Sequence, residues 1–246
     1  MVSLSTIMDQ ATTLNLSGFR NCLELHSEDV KYSTLSFEER LYHLFEAEIN
    51  QKADKKIKRL LVAAKLKDKT ASLEQIEYLA KRNLDKSVIL SLSNGEFINK
   101  NQNILITGAT GTGKSFLAQA LARRCISLGY NTKYYRVSTL LEEIKTSRLD
   151  GSYTKTLSRI SKFKLLLLDD FGVTPLKLDE INDLFEIIED RIFEGSIIIT
   201  AQLPIKEWHA YLGNETIADA MMDRLIHSSH KIELKGPSMR EFLAKL

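Results

Sequence analysis

The chain has 246 residues, 43% hydrophobic and 27% charged, with 34 Lys and Arg against 32 Asp and Glu for a formal charge of +2. This apolar content excludes a disordered chain and suffices for one large α/β core with a smaller appendage. No window reaches the roughly eighteen consecutive apolar residues of a membrane span, no basic residue precedes Arg20 as a secretory leader would require, and Cys22 and Cys125 are too few for a disulfide framework or a cysteine zinc site, so the expected compartment is the reducing cytoplasm.

The first clear element is a helix. Ser36 and Glu39 form an S-x-x-E capping box, and apolar residues then recur with helical spacing at Leu41, Leu44, Phe45, Ile49, Ala53, Ile57, Leu60, Leu61 and Ala64. Between Lys52 and Lys69 eight basic residues face only Asp54 and Asp68, so this stretch carries +6, while 26 basic and 30 acidic residues lie elsewhere. Helical spacing puts Lys52, Lys55 or Lys56, and Arg59 on one stripe, where like charges at i,i+4 repel and an anion would relieve them. Lys52, Lys55, Lys56, Lys58 and Arg59 are therefore candidates for contact with an anionic partner, the phosphates of a nucleic acid being one that such a face would bind independent of base sequence. The alternative is a solvated face that keeps the helix soluble. A second box at Ser72 and Gln75 predicts a helix through about Leu92, and residues 93–102 read as a polar boundary.

From Asn103 short apolar runs alternate with longer amphipathic ones. Strands are predicted at Ile104–Thr107, Lys133–Val137, Leu165–Leu168, Ile197–Thr200 and Lys231–Leu234, with helices at about 114–128, 139–162, 177–194 and 205–227. This alternation predicts an α/β fold whose parallel sheet is covered on both faces.

Directly after the first of these strands stands Gly108-Ala109-Thr110-Gly111-Thr112-Gly113-Lys114-Ser115, followed by Phe116 and a helix. This is G-x-x-x-x-G-K-S in its strand-loop-helix context. Glycines adopt backbone conformations closed to other residues, so successive N–H groups can turn toward phosphate oxygens beside a helix N-terminus. Lys114 is expected to bridge the β and γ phosphates of ATP, and the Ser115 hydroxyl to coordinate Mg²⁺. The apolar run Leu165–Leu168 ends in Asp169-Asp170. Asp169 is expected to hold Mg²⁺ and Asp170 to orient the attacking water, a helix cap or solvated turn being the alternative for Asp170. Asp170-Phe171-Gly172 also spells the metal-binding triplet of protein kinases, but no H-R-D segment precedes it.

With Leu35–Leu41, Ala64–Leu66, Tyr135–Val137, Asp150–Tyr153, Leu168–Gly172, Ile217–His227 and Lys235–Arg240, these motifs resemble the AAA+ ATPases, and within them the IstB-like ATP-binding proteins of bacterial insertion sequences, relatives of the DnaC helicase loader. The resemblance implies a P-loop AAA+ core with a five-stranded parallel sheet behind a small helical N-terminal domain. It divides the chain into a helical domain at 1–70 for DNA binding and oligomerisation, a helical linker at 71–102 and an ATPase domain at 103–246. It assigns the γ-phosphate sensor to Gln202, with Thr200 as the alternative, either of which could instead be a strand-end polar residue bonded to backbone. Arg224 becomes the arginine finger presented to the nucleotide of the next subunit, its alternative being a salt bridge to Asp223 or Asp219, and Arg191 is a second candidate. Only twelve residues follow Leu234, too few for the family's helical lid, which leaves Arg240 as the candidate for the second sensor.

The resulting expectation is an ATP-dependent helper that oligomerises on duplex DNA, hydrolyses ATP and recruits or stimulates a transposase, with no membrane partner. A loader of a replicative helicase and an ATP-switched DNA-bending scaffold with little turnover are the alternatives, while a small-molecule kinase lacks an acceptor-binding lid. His227 and His230 have no third ligand nearby, and Trp208, Tyr134 and Tyr135 read as core aromatics.

Overall fold

The structure, a computed structural model, describes residues 3–239. The chain divides into two compact units, Met1–Arg59 and Leu60–Leu246, so the division falls inside a helix rather than at residue 70.

In the first unit α1 (Leu4–Thr13), α2 (Ser17–Glu28) and a 3₁₀ turn at Val30–Thr34 precede α3 (Phe37–Ala64), which continues past the division. The capping box closes as its residues dictate, with Ser36 Oγ accepting the Glu39 N–H at 3.2 Å and Glu39 Oε2 accepting the Ser36 N–H at 2.8 Å. α1 and α2 carry apolar residues at helical spacing, Leu4, Ile7, Met8 and Ala11 in α1 and Phe19, Cys22 and Leu23 in α2. Their arrangement depends on Glu48 of α3, a buried carboxylate that accepts the Gly18 N–H at 2.7 Å and the Phe19 N–H at 3.1 Å at the start of α2. A Cβ on Gly18 would stand 2.5 Å from the Ala47 carbonyl oxygen, so glycine permits the approach. Burial acts to raise the Glu48 pKa, but the hydrogen bonds from Phe19, Lys52 and Gly18 prevail and hold it below the ordinary glutamate value. A depressed carboxylate pKa stabilises the fold above the unfolded value of about 4.3 and loses that contribution as pH falls through the folded one. Glu48→Ala is therefore expected to destabilise this unit by about 0.5–2 kcal/mol at neutral pH, the range for a lost N-terminal cap. Urea denaturation of the full chain checks this, and the gap between variant and parent should close on acidification.

In the second unit the sequence expectation of a single helix over 72–92 is corrected. Ser72 makes no capping bond; a 3₁₀ turn at Leu73–Gln75 leads into extended chain, a second turn at Ala80–Arg82, and α4 (Lys86–Leu92), capped by Asp85. The cause is tertiary. Ile76 and Arg82 are buried, the Arg82 guanidinium donates to the Glu77 and Thr112 carbonyls, and the Arg82 carbonyl accepts the Lys235 N–H at 3.0 Å. One straight helix could not satisfy these partners. The polar boundary expected at 93–102 likewise contains α5 (Glu96–Asn99), which buries Phe97 and Ile98.

Next come β1 (Asn103–Gly108), α6 (Lys114–Ser127), β2 (Thr132–Arg136), α7 (Val137–Leu149), α8 (Tyr153–Ser161), β3 (Leu165–Phe171), α9 (Leu178–Glu189), β4 (Ser196–Ala201), α10 (Trp208–Leu212), α11 (Glu215–Ile226) and β5 (Ser229–Leu234). The helix expected over 139–162 is two, because Gly151 takes φ +76° after α7 and Asp150 accepts the Ser152 N–H at 2.9 Å. The one expected over 205–227 is a 3₁₀ turn followed by α10 and α11. All strands pair in parallel in the order β2-β3-β4-β1-β5, the five-stranded α/β sheet anticipated. Leu105, Leu166, Leu168, Ile197 and Ile199 join the core formed with α7, α9 and α11, while the alternate residues Ile104, Ile106, Leu165, Leu167 and Ile198, also buried, point to the other face. Among the described residues no helix is long and apolar enough to cross a membrane.

Candidate nucleotide site

β1 and β3 do not touch; β4 lies between them. Parallel strands release their loops at the same sheet edge, so the loop after β1 and the ends of β3 and β4 converge at one crevice. The loop is the 108–115 segment. Gly113 has φ +91°, and a Cβ there would stand 2.9 Å from an Arg82 guanidinium nitrogen. α6 starts at Lys114 with no side chain capping its N-terminus, which leaves its first N–H groups available to an anion. Lys114 is buried, and its ammonium donates to the Ala109 carbonyl at 2.7 Å. Burial pushes its pKa below the usual lysine range, against the pull of Asp169 and Asp170. A buried cation with three donors whose bond goes to its own loop fits a phosphate partner.

A bulge separates the two acids. Leu168 pairs with Ile199 and Phe171 with Ala201, so β3 holds one more residue than β4 over this interval. Asp170 absorbs it at φ +63°, a conformation short polar side chains tolerate. Asp169 thereby turns inward and is 2% exposed, whereas Asp170 faces the crevice. Three hydroxyls meet Asp169: Ser115 at 2.8 Å, Tyr134 at 3.0 Å, and Thr200, which also accepts the Asp170 N–H at 3.2 Å. Ser115 and Asp169 thus bring hard oxygen donors together, a set that suits Mg²⁺ beside phosphate oxygens. Burial, then the Asp169 charge, raises the Tyr134 pKa, so this phenol stays a neutral donor. Arg136 Nε stands 3.5 Å from Asp170.

A cavity of about 300 Å³ joins these parts and is lined by Thr110, Gly111, Gly113, Lys114, Ser115, Phe116, Asp170 and Gln202. Its remaining wall comes from Leu117 and from Gln75, Ile76, Glu77, Arg82 and Met239; no motif marks Ile76, Glu77 or Arg82, while Gln75 belongs to the second expected box and Met239 to the Lys235–Arg240 segment. Met239 N–H also donates to the Gly111 carbonyl at 2.8 Å. Tyr134 reads in the sequence as a core aromatic, and Arg136 lies in the Tyr135–Val137 segment without a site role; strand alternation sets them on one face, but only the pairing of Arg136 with Asp169 across β2 and β3 brings that face to the acids. Of the two sensor candidates, Thr200 is buried between the acids and Gln202 lies exposed on the cavity wall.

Other candidates lie elsewhere. Arg224 of α11 pairs with Glu189 of α9, not with Asp223 or Asp219, and lines a different cavity. Arg191 is excluded as a finger: it is 2% exposed and its guanidinium donates to the Ile160 and Ser196 carbonyls, each at 3.0 Å. Lys52 pairs with Glu48 at 3.2 Å and Lys55 donates to Ser17 Oγ at 2.7 Å, while Lys56, Lys58 and Arg59 are exposed on α3. Arg240 lies outside the described residues. Phe171 packs against Trp208 and Tyr211, so the central residue of the kinase-like triplet is core, and among the described residues no group of three His, Cys, Asp or Glu gathers around His227 or His230.

This strand order, with a phosphate loop after β1 and paired acids at the end of β3, defines a P-loop nucleotide-binding domain of AAA+ type. The family of IstB-like ATP binding proteins matches residues 9–244, and the chain belongs to it. It is 36% identical to the insertion sequence ATP-binding protein y4pL of Sinorhizobium fredii over 95% of each chain, and 38% identical to the ATP-binding protein of insertion sequence IS1162 of Pseudomonas fluorescens over 80% of this chain and 85% of that one. Among solved structures, the DnaC helicase loader superposes with a TM-score of 0.59 at 20% identity, over 67% of this chain and 97% of the loader. AMPPCP-bound DnaA from Aquifex aeolicus gives 0.58 at 20% identity over 72% of this chain and 54% of DnaA. These two share the fold.

Proposed function

We propose that the chain binds ATP with Mg²⁺, hydrolyses it, and acts as an oligomeric helper that binds duplex DNA and recruits or stimulates a transposase. The observation that carries this reading is the cluster of Lys114, Ser115, Asp169 and Thr200 in one crevice, in a chain whose relatives are ATP-binding proteins of insertion sequences. Lys114 and the N–H groups of the loop and α6 bind the phosphates, and Ser115 and Asp169 hold Mg²⁺, which supplies neutralisation of phosphate charge. Asp170, released from Arg136, accepts a proton from the attacking water, Thr200 fixes the two acids relative to each other, and Gln202 reads the γ phosphate. Arg224 acts only on the nucleotide of a neighbouring copy, because within one chain it lines another cavity.

Lys52, Lys55, Lys56, Lys58 and Arg59 bind the phosphates of the duplex. Replacing all five by glutamine is expected to reduce the slope of log K against log salt for duplex DNA by up to about 4 to 5, at roughly 0.9 for each phosphate no longer neutralised. ATP turnover and particle size, measured with and without duplex, test the whole reading: DNA-stimulated turnover in a large assembly supports it, and an inert monomer in both conditions overturns it. The fold shared with the DnaC loader favours delivery of a replicative helicase as the second reading. Co-purification with a helicase and no effect on transposition would select it.

A further inference from the structure

The edge strand β2 borders a second cluster of cations outside the nucleotide crevice. A cavity of about 610 Å³ is lined there by Lys65, Lys67, Lys133, Arg136 and Arg159, with Glu143 as the carboxylate of its lining. Lys133 is only 6% exposed, and its ammonium makes one hydrogen bond, to the Ala63 carbonyl at 2.9 Å, so two of its three donors have no acceptor among the described residues. Burial first, then the Lys65 and Arg159 charges, push its pKa down, against the pull of Glu143. That carboxylate is already engaged, since Glu143 pairs with Arg159 and accepts the Tyr135 hydroxyl at 3.3 Å. Lys65 and Lys67 are exposed beside this buried cation, and Lys65 is held at φ +53° just after α3. Like charges gathered around a partly desolvated ammonium favour an anionic partner that shares the pocket.

The geometry points to a phosphate-binding pocket at the β2 edge, in which Lys65, Lys67, Lys133 and Arg159 hold phosphate groups and Arg136, which lines the same pocket, is shared with Asp170 of the nucleotide site. A phosphate bound here draws the Arg136 guanidinium from the Asp170 carboxylate and frees that carboxylate to take a proton from water. Occupancy of the pocket then raises turnover, a consequence that rests on the role proposed above for Asp170, whereas the binding itself does not. Two sources share this chemistry, the backbone of duplex DNA and a free polyphosphate.

Pyrophosphate titrated calorimetrically into the full-length Lys114→Ala chain, whose phosphate loop is disabled, is expected to bind. Adding Lys65→Gln and Lys67→Gln, both at exposed positions, is expected to weaken that binding by roughly tenfold or more per lysine. Equal affinity with and without the two substitutions, or no binding at all, overturns the pocket. In the chain with Lys114 intact, the same pair of substitutions is expected to lower the salt slope for duplex DNA by about two and to abolish DNA stimulation, with turnover in the absence of DNA unchanged. A pyrophosphate effect with an unaltered DNA slope supports the pocket and identifies free polyphosphate as its occupant. Failure of the unsubstituted chain to bind duplex overturns the DNA-helper reading, while the pyrophosphate titration still decides the pocket.

Discussion

An Arg224→Ala chain is expected to turn over ATP roughly 10³ to 10⁵-fold more slowly than the unsubstituted protein, the span covered by arginines that stabilise charge on a transferred phosphoryl group from a neighbouring subunit. In the isolated chain this guanidinium pairs with Glu189, lies 5.4 Å from the Phe185 ring centroid and donates to the Ala220 carbonyl at 2.9 Å. Its side chain is 27% exposed, so it is anchored yet reachable from outside. If anchoring were its whole role, losing the ion pair would cost up to about 1 kcal/mol of stability and leave turnover intact. The two roles separate on mixing. Arg224→Ala lacks the finger and Lys114→Ala lacks the phosphate loop, so each alone should be inactive, but a mixed oligomer contains interfaces where an intact loop meets an intact Arg224. Recovered turnover in the mixture supports action across subunits; full activity of Arg224→Ala alone sinks it. Arg224→Lys should not rescue, because an ammonium cannot present the guanidinium's planar fork of donors.

Asp170→Asn is expected to lower turnover by roughly 10² to 10⁴-fold, the usual contribution of a general base, with nucleotide affinity nearly unchanged. Asparagine is the informative replacement because it tolerates the left-handed backbone that the bulge imposes at this position. The bulge and the orientation of Asp169 should then survive, and equilibrium binding of a fluorescent ATP analogue checks that they do. The variant also separates hydrolysis from assembly. If the Asp170→Asn chain forms large particles on DNA yet fails to support transposition, turnover is part of the function. Full transposition by the variant would instead make ATP an assembly switch for a DNA-bending scaffold.

The legible parts of this protein are those whose signal is local. Gly108 to Ser115 reads as a phosphate loop because glycines, lysine, hydroxyl, preceding strand and following helix all fall within a short segment, and the structure has β1 and α6 on either side of it. The box at Ser36 and Glu39 closes for the same reason. The stretch 72–92 misleads because its box and apolar spacing obey helical rules, while Ile76 and Arg82 answer to partners distant in sequence, among them the Thr112 carbonyl. Arg191 misleads in the opposite sense: an arginine near the end of an amphipathic helix reads as exposed, yet it is buried with its guanidinium on carbonyls of two other segments, and burial brings its pKa down to about 10.

By itself the sequence determined that this is a P-loop protein with paired acids on a later strand and a basic helix ahead of the core. Those properties follow from residue type and spacing over at most a few turns of chain. Only the tertiary structure decided which groups share the crevice. Ser115 and Asp169 are 54 positions apart and meet because the sheet order sets β4 between β1 and β3. The bulge that sends Asp169 inward and Asp170 outward depends on how β3 pairs with β4, and the meeting of Tyr134 and Arg136 with those acids depends on β2 occupying the next position. Strand order and register are set by packing between distant segments, and no local pattern of residues encodes them.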